Sequence, residues 1–308
     1  MNTSSNEIWK NWQDYKSFEL RAHRFRKEML TVFYDYLGIK PEYNVLDGGC
    51  GTGVFTRYLA GGLTKGRITG FDINERSIEY GRLKLKECSL EDKVTLETAD
   101  GFRLPYLDDA FDAVTNYTYI GVLSDPVAGM KELIRVCKPG GTVSCVVATN
   151  SIPAIDWQGD YPFEGAEKLQ QLAALENRIF AKYAHDPSDL MQSSEWHAFR
   201  YPKMFDVCGL KDIHIYPVAH VISYTDTQYP LEYRRMLVEE ELSVNIEWVK
   251  DRYRSKREIY HKHGFQDKNF NDLISLLEAK MKYLQDNLET DKSFEWHGGF
   301  NFIVAGTK

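Results

Sequence analysis

Residues 47–53 read Asp-Gly-Gly-Cys-Gly-Thr-Gly, so glycines alternate at 49, 51 and 53 behind an acid. Glycine lacks a Cβ, so such a turn adopts positive φ and lets a bound molecule touch the backbone. The chemistry this suits is the seating of a nucleoside at the carboxyl end of a strand. The dinucleotide fingerprint G-x-G-x-x-G fails in both registers: begun at Gly49 it meets Val54 in sixth place, and begun at Gly48 it meets Cys50 in third. Asp47 at the mouth of the turn repels a pyrophosphate and welcomes a cation. The charge pattern therefore favours S-adenosylmethionine (SAM), with its sulfonium and ammonium and no phosphate, over a nicotinamide dinucleotide.

Two further acids stand at the ends of apolar runs. Arg67-Ile68-Thr69-Gly70-Phe71 reads as a second strand ended by Asp72. A carboxylate there can accept from both ribose hydroxyls, a charged bond worth about 1.5–3 kcal/mol. Val94-Thr95-Leu96-Glu97 reads as a third strand, and Asp100 beyond it is placed to accept from an adenine amino group. Phe111–Asn116 is a fourth strand, and Lys138-Pro139-Gly140-Gly141 a turn into a fifth.

This ordered series resembles the class I SAM-dependent methyltransferases over roughly residues 40–150. The resemblance implies that Gly49 and Gly51, with Asp47 and Gly48 around them, hold the methionine part of SAM. It implies that Asp72 holds the ribose with Ile73 against the adenine. Asp100, Gly101 and Phe102 would meet the adenine edge, and Asn116 and Tyr117 would flank the methyl group. One departure stands out. Many small-molecule members carry His-His late in the strand-four segment, where this chain has Gly121 and Val122.

The elements that must position these residues follow a βαβ rhythm from 43 to 148. Asn74 can cap the helix after strand two, and Asp125-Pro126 opens the one holding Met130, Leu133 and Ile134. The expected fold is α/β: a seven-stranded, mostly parallel, doubly wound sheet with the last strand antiparallel, and helical insertions forming a lid. Residues 1–40 form an N-terminal helical cap, helical over 8–37, and 41–150 the SAM-binding core. Residues 151–204 are an insertion after strand five, looped over 151–163 and helical over 164–184. Segments 205–216 and 299–308 supply the last two core strands. Residues 217–298 are a helical insertion in which Phe270, Leu273, Ile274, Leu277, Met281, Leu284 and Leu288 form one stripe.

Length and composition narrow the class. The 308 residues, 43% hydrophobic, suffice for a large core, and the net charge of −7 argues against a duplex nucleic-acid binder. Five cysteines without CxxC pairs read as reduced thiols in a cytoplasmic protein with neither zinc nor disulfides. No apolar run approaches the roughly 18 residues of a membrane span. We expect no metal and a small-molecule methyl acceptor, with S-adenosylhomocysteine (SAH) as product.

The acceptor side is less determined. All six tryptophans (9, 12, 157, 196, 248, 296) lie outside 40–150, as packing residues or as an aromatic lid over the sulfonium. Tyr119, His197 and His297 are the candidates for a catalytic group, with packing as the competing role. The basic run 250–263 (Arg252, Arg254, Lys256, Arg257, His261, Lys262) is a solvated helix face or, alternatively, the docking face of an RNA or protein methyltransferase. A third reading is a SAM-binding regulatory protein without turnover.

Overall fold

The computed structural model describes residues 19, 21–148, 155–157, 162–184, 200–290 and 296–308. The strands are β1 (Asn44–Gly48), β2 (Arg67–Asp72), β3 (Val94–Thr98), β4 (Phe111–Asn116), β5 (Cys137–Ala148), β6 (Ile155–Trp157), β7 (Lys211–Ser223) and β8 (Trp296–Thr307). They form one sheet in the order β3-β2-β1-β4-β5-β8-β6, with β7 also on β8. The first five pair in parallel and β8 runs antiparallel to β5, Thr142 facing Thr307. The fold is the mostly parallel, doubly wound sheet expected. The three-residue β6 adds an eighth strand inside 151–163, a stretch read from sequence as loop.

Both faces of the sheet are covered, which is why its strands read as apolar runs rather than as clean alternation. Val45 enters one apolar layer and Leu46 the other, as period-two geometry requires. Helix α1 (Leu30–Leu37), α2 (Val54–Ala60) and α3 (Glu75–Glu87) supply the first layer. Helices α4 (Pro126–Val136) and α6 (Tyr201–Val207) supply the second; α5 (Ala166–Ile179) lies between them in sequence. The Asn74 side chain accepts from the Ser77 N–H to cap α3, and Asp125 does the same for the Ala128 N–H at the head of α4. The Lys138–Gly141 turn is absorbed into β5. Gly140 takes a φ of +75°, and the register against β4 slips between Phe111↔Cys137 and Ala113↔Thr142.

The helix expected over 8–37 is broken in its described part. Two 3₁₀ turns, Arg21–Arg24 and Lys27–Met29, precede α1, and Arg26 between them is extended. The cause is tertiary. Phe25 is drawn into a cluster with Phe33, Phe55, Tyr58 and Tyr117, with ring centroids 5.0–6.2 Å from its own. The Tyr58 hydroxyl then donates to the Arg26 carbonyl at 2.9 Å. Residues 8–18 lie outside the described residues.

The chain divides into two compact units: residues 1–153, 188–220 and 299–308, and residues 154–187 and 221–298. In the second, α5 packs with α7 (Leu231–Lys262) and α8 (Asp267–Asn287) around Leu169, Leu172, Tyr253, Tyr260 and Leu273. The α8 stripe is as expected, with Leu273, Leu284 and Leu288 buried. Among the described residues, no helix is long and apolar enough to cross a membrane.

Candidate functional site

Strand β1 delivers Asp47 to the carboxyl edge of the sheet and then breaks into the glycine turn. Gly49, Gly51 and Gly53 take φ of +63°, +56° and +77°, a region that L side chains rarely adopt. Gly53 is also the N-cap of α2. The Asp47 carboxylate is 1% exposed. Its Oδ2 accepts from the Thr56 hydroxyl at 2.6 Å, while Oδ1 has no partner among the described residues. Burial pushes this acid up to about 7, opposed by the Thr56 hydrogen bond and helped by the charge of Asp72. Cys50, beside both acids, is held as a neutral thiol by burial and by their charges.

Asp72 ends β2 as expected. Its Oδ2 accepts from the Gly51 N–H and its Oδ1 from the Asn74 N–H, both at 2.9 Å, so it braces the glycine turn. Burial raises its pKa against those hydrogen bonds. Ile73 next to it is half-buried. Asp100 is exposed, and its Oδ1 accepts from the Phe102 N–H at 3.0 Å, while Gly101 is buried and Phe102 half-buried. Gly48 follows Asp47 in β1 with the Phe71 ring 3.3 Å from where its Cβ would stand.

Asn116, at the end of β4, turns towards β5. Its Nδ2 donates to the Ser144 carbonyl at 3.1 Å and lies 2.9 Å from the Cys145 sulfur. Tyr117 faces the other way and walls a recess with Arg21, Phe25, Asp47, Gly51 and Phe55. Arg21, Phe25 and Phe55 were not read from the sequence as site residues. The available signal was an arginine- and aromatic-bearing stretch directly ahead of the first strand. That stretch crosses the turn as a strap. Glu19 accepts from the Thr52 hydroxyl at 2.8 Å and from Arg57 at 2.6 Å, and Arg24 Nη1 donates to the Tyr117 hydroxyl at 3.2 Å.

Tyr119, a candidate for catalysis, lies within the cradle itself. A Cβ on Gly49 would overlap its ring, and one on Gly101 would overlap its hydroxyl. Its ring meets Phe71 edge-on at 5.7 Å. Gly121 and Val122 belong to a 3₁₀ turn, Ile120–Val122, and the Tyr201 hydroxyl of α6 stands over Gly121, 2.6 Å from where a Cβ would be. His197, Trp9, Trp12 and Trp196 lie outside the described residues. So do the side chains of Trp157, Trp296 and His297, whose backbones belong to β6 and β8. Trp248 is 59% exposed.

The basic run on α7 is largely neutralised within its own unit. Lys250 pairs with Glu247, Arg252 with Glu176, Arg254 with Asp251, and Arg257 and His261 with Asp267. Such a face offers little free charge to a polyanion.

Comparison with known proteins agrees with the site's place in the chain. A methyltransferase-domain family profile matches residues 45–141. A demethylmenaquinone methyltransferase of Bacillus mycoides is 30% identical over 204 residues, covering 64% of this chain and 80% of that protein. One from Bacillus cereus is 29% identical over the same length. Among solved structures, Haemonchus contortus phosphoethanolamine N-methyltransferase 2, in complex with S-adenosyl-L-methionine, is 14% identical. It covers 99% of this chain and 60% of that one, at a TM-score of 0.49.

Proposed function

Because this chain belongs to the class I SAM-dependent methyltransferases, with SAM as its donor, we propose that it methylates a small-molecule acceptor by in-line displacement. The observation that carries the reading is Asp47: a buried carboxylate with one bare oxygen, set under three positive-φ glycines at the end of β1. A bare, buried carboxylate oxygen calls for a cation, and a glycine turn without Cβ atoms admits a ligand to the backbone. Both features suit SAM. Bound there, SAM supplies a methyl carbon activated by its sulfonium.

The chain's own residues then have separable tasks. Gly49, Gly51 and Gly48 give backbone access for the methionine part, and Asp47 ionises to meet its ammonium. Asp72 keeps the turn in shape through Gly51 and offers its carboxylate to the ribose. Ile73, Gly101 and Phe102 bound the adenine, with Asp100 at its edge. Tyr117, tied to Arg24, walls the methyl side. Asn116 serves that wall from behind by pinning β4 to β5. Their joint effect is alignment and exclusion of water, the main protein contributions when the cofactor carries the reactivity.

A small acceptor is supported by relatives named for demethylmenaquinone methylation and by the internal pairing of the basic run, which disfavours an RNA-docking role. A reducing compartment such as the cytoplasm suits the five unpaired cysteines. The test is a screen of small acceptors, demethylated quinols and polar amines first, reading SAH release. Turnover with any of them establishes the class; binding of SAM without turnover on small molecules, RNA or peptide would favour the regulatory alternative.

A further inference from the structure

We propose that Tyr119 is a movable plug in the donor cradle, its ring filling the path from Gly49 to Gly101 until the donor displaces it. The proposal rests on the donor reading above and goes beyond it to how the donor gains entry. Gly49 belongs to the turn after β1 and Gly101 to the turn after β3, the two ends that a nucleoside-bearing ligand must span. The Tyr119 ring stands where a Gly49 Cβ would be, and its hydroxyl where a Gly101 Cβ would be. Ligand and ring thus compete for one volume, and the two glycines are what permit either to lie against the backbone.

The ring's attachments are those of a displaceable group. It packs edge-on against Phe71, and its hydroxyl makes no hydrogen bond among the described residues. That hydroxyl faces the charges of Asp72 and Asp100, the acids assigned to ribose and adenine, and burial with those charges keeps it protonated. The backbone beneath it is a short turn rather than a strand. Thr118 takes a φ of +53°, strained for a β-branched residue, and Tyr119 starts the three-residue Ile120–Val122 turn. Rotation about the Tyr119 χ1 carries the ring out of the cradle, while the Thr118 N–H stays on the Val146 carbonyl at 2.9 Å. A state competent for only a fraction of the time reduces apparent affinity by that fraction, so a plug in place nine-tenths of the time weakens donor binding about tenfold.

The experiment titrates SAH into wild type, Tyr119→Ala and Tyr119→Phe by calorimetry. In parallel, ¹⁹F spectra are taken of protein labelled with 3-fluorotyrosine, the Tyr119 resonance being identified by its loss in Tyr119→Phe. The expected result is binding about tenfold tighter in Tyr119→Ala and unchanged in Tyr119→Phe, which keeps the ring. The Tyr119 resonance of the wild type should move towards the solvent-exposed position as SAH saturates. Equal or weaker binding by a folded Tyr119→Ala, or a Tyr119 resonance unmoved at saturation, would overturn the plug. The fluorine reading needs no alanine variant, so it decides the matter even where that variant fails to fold. If neither wild type nor any variant binds SAH, the donor reading itself fails and takes the plug with it.

Discussion

Asp47 and Glu176 are both buried carboxylates, 1% and 2% exposed, one in each compact unit. Their surroundings are opposite. Glu176 has a donor on each oxygen, the Tyr260 hydroxyl at 2.7 Å and the Arg252 guanidinium at 3.2 Å. Among the described residues, Asp47 has a single hydroxyl partner, no paired cation and a bare Oδ1. Burial raises both acids, but in Glu176 the Arg252 charge and the Tyr260 hydrogen bond pull back. A buried acid with its own cation holds helices together; a buried acid without one stores an unmet demand that a ligand can answer.

The contrast can be broken at several points. The largest effect is expected from Gly51→Val, which forces a β-branched residue into φ +56° in the turn that follows Asp47. SAM binding by calorimetry should fall by more than about a hundredfold while circular dichroism stays native. Retained affinity would mean the ligand sits elsewhere. Asp72→Ala should weaken SAM by about ten- to a hundredfold, the worth of a charge-assisted bond, and unchanged affinity would remove its ribose role. On the other side, Glu176→Ala leaves Arg252 and the Tyr260 hydroxyl without their partner and should lower stability by about 1–3 kcal/mol in denaturant unfolding. SAM affinity should stay as in the wild type; a parallel loss of affinity would collapse the distinction between the two acids.

The smallest effect, about tenfold when read from pH 6 to 8, is a pH dependence. Asp47 ionises near 7 when folded, against about 4 for an ordinary aspartate. Between those values the folded chain holds a proton that the unfolded chain has released. The stability contributed by this acid therefore falls as pH rises from about 4 to about 7 and is level above. Affinity for a cation-bearing donor runs the other way, rising through that window by up to about tenfold per unit and flattening above 7. Asp47→Asn should erase both slopes. A wild-type affinity that is flat from pH 6 to 8 would show that Asp47 does not meet the donor's charge.

Much of this arrangement was legible in the sequence because local rules and tertiary structure agreed. Asp47 and Asp72 stand at strand ends, and Asn74 and Asp125-Pro126 cap the helices their types predict. Legibility ended where tertiary packing overrode local pattern. No glycine or proline marks the break at Arg26; the pull on Phe25 causes it. Asn116 ends a strand buried on both faces and Tyr117 follows it, so apolar pattern alone could not tell which looks towards β5 and which towards the recess. Tyr119 carries no signal in its type. Its place follows from two glycines more than fifty residues apart in sequence meeting at one ring.

The position of β8 has a consequence for how the chain comes to be folded. β5 lies mid-sheet, and its outer edge is closed by a strand that begins only at Trp296. During synthesis, the edge from Thr142 to Ala148 must therefore wait, with its backbone groups unpaired, until more than a hundred further residues have been made. Pairing over such a separation is slow, because the intervening loop must close before any contact rewards it. In that interval the β5 edge is the surface from which strand-to-strand aggregation would start. Lys308 finishes the closure, donating to the carbonyls of Arg135 and Cys137 and pairing with Asp109. Refolding yield should accordingly depend on chain concentration far more than the stability of the finished sheet suggests.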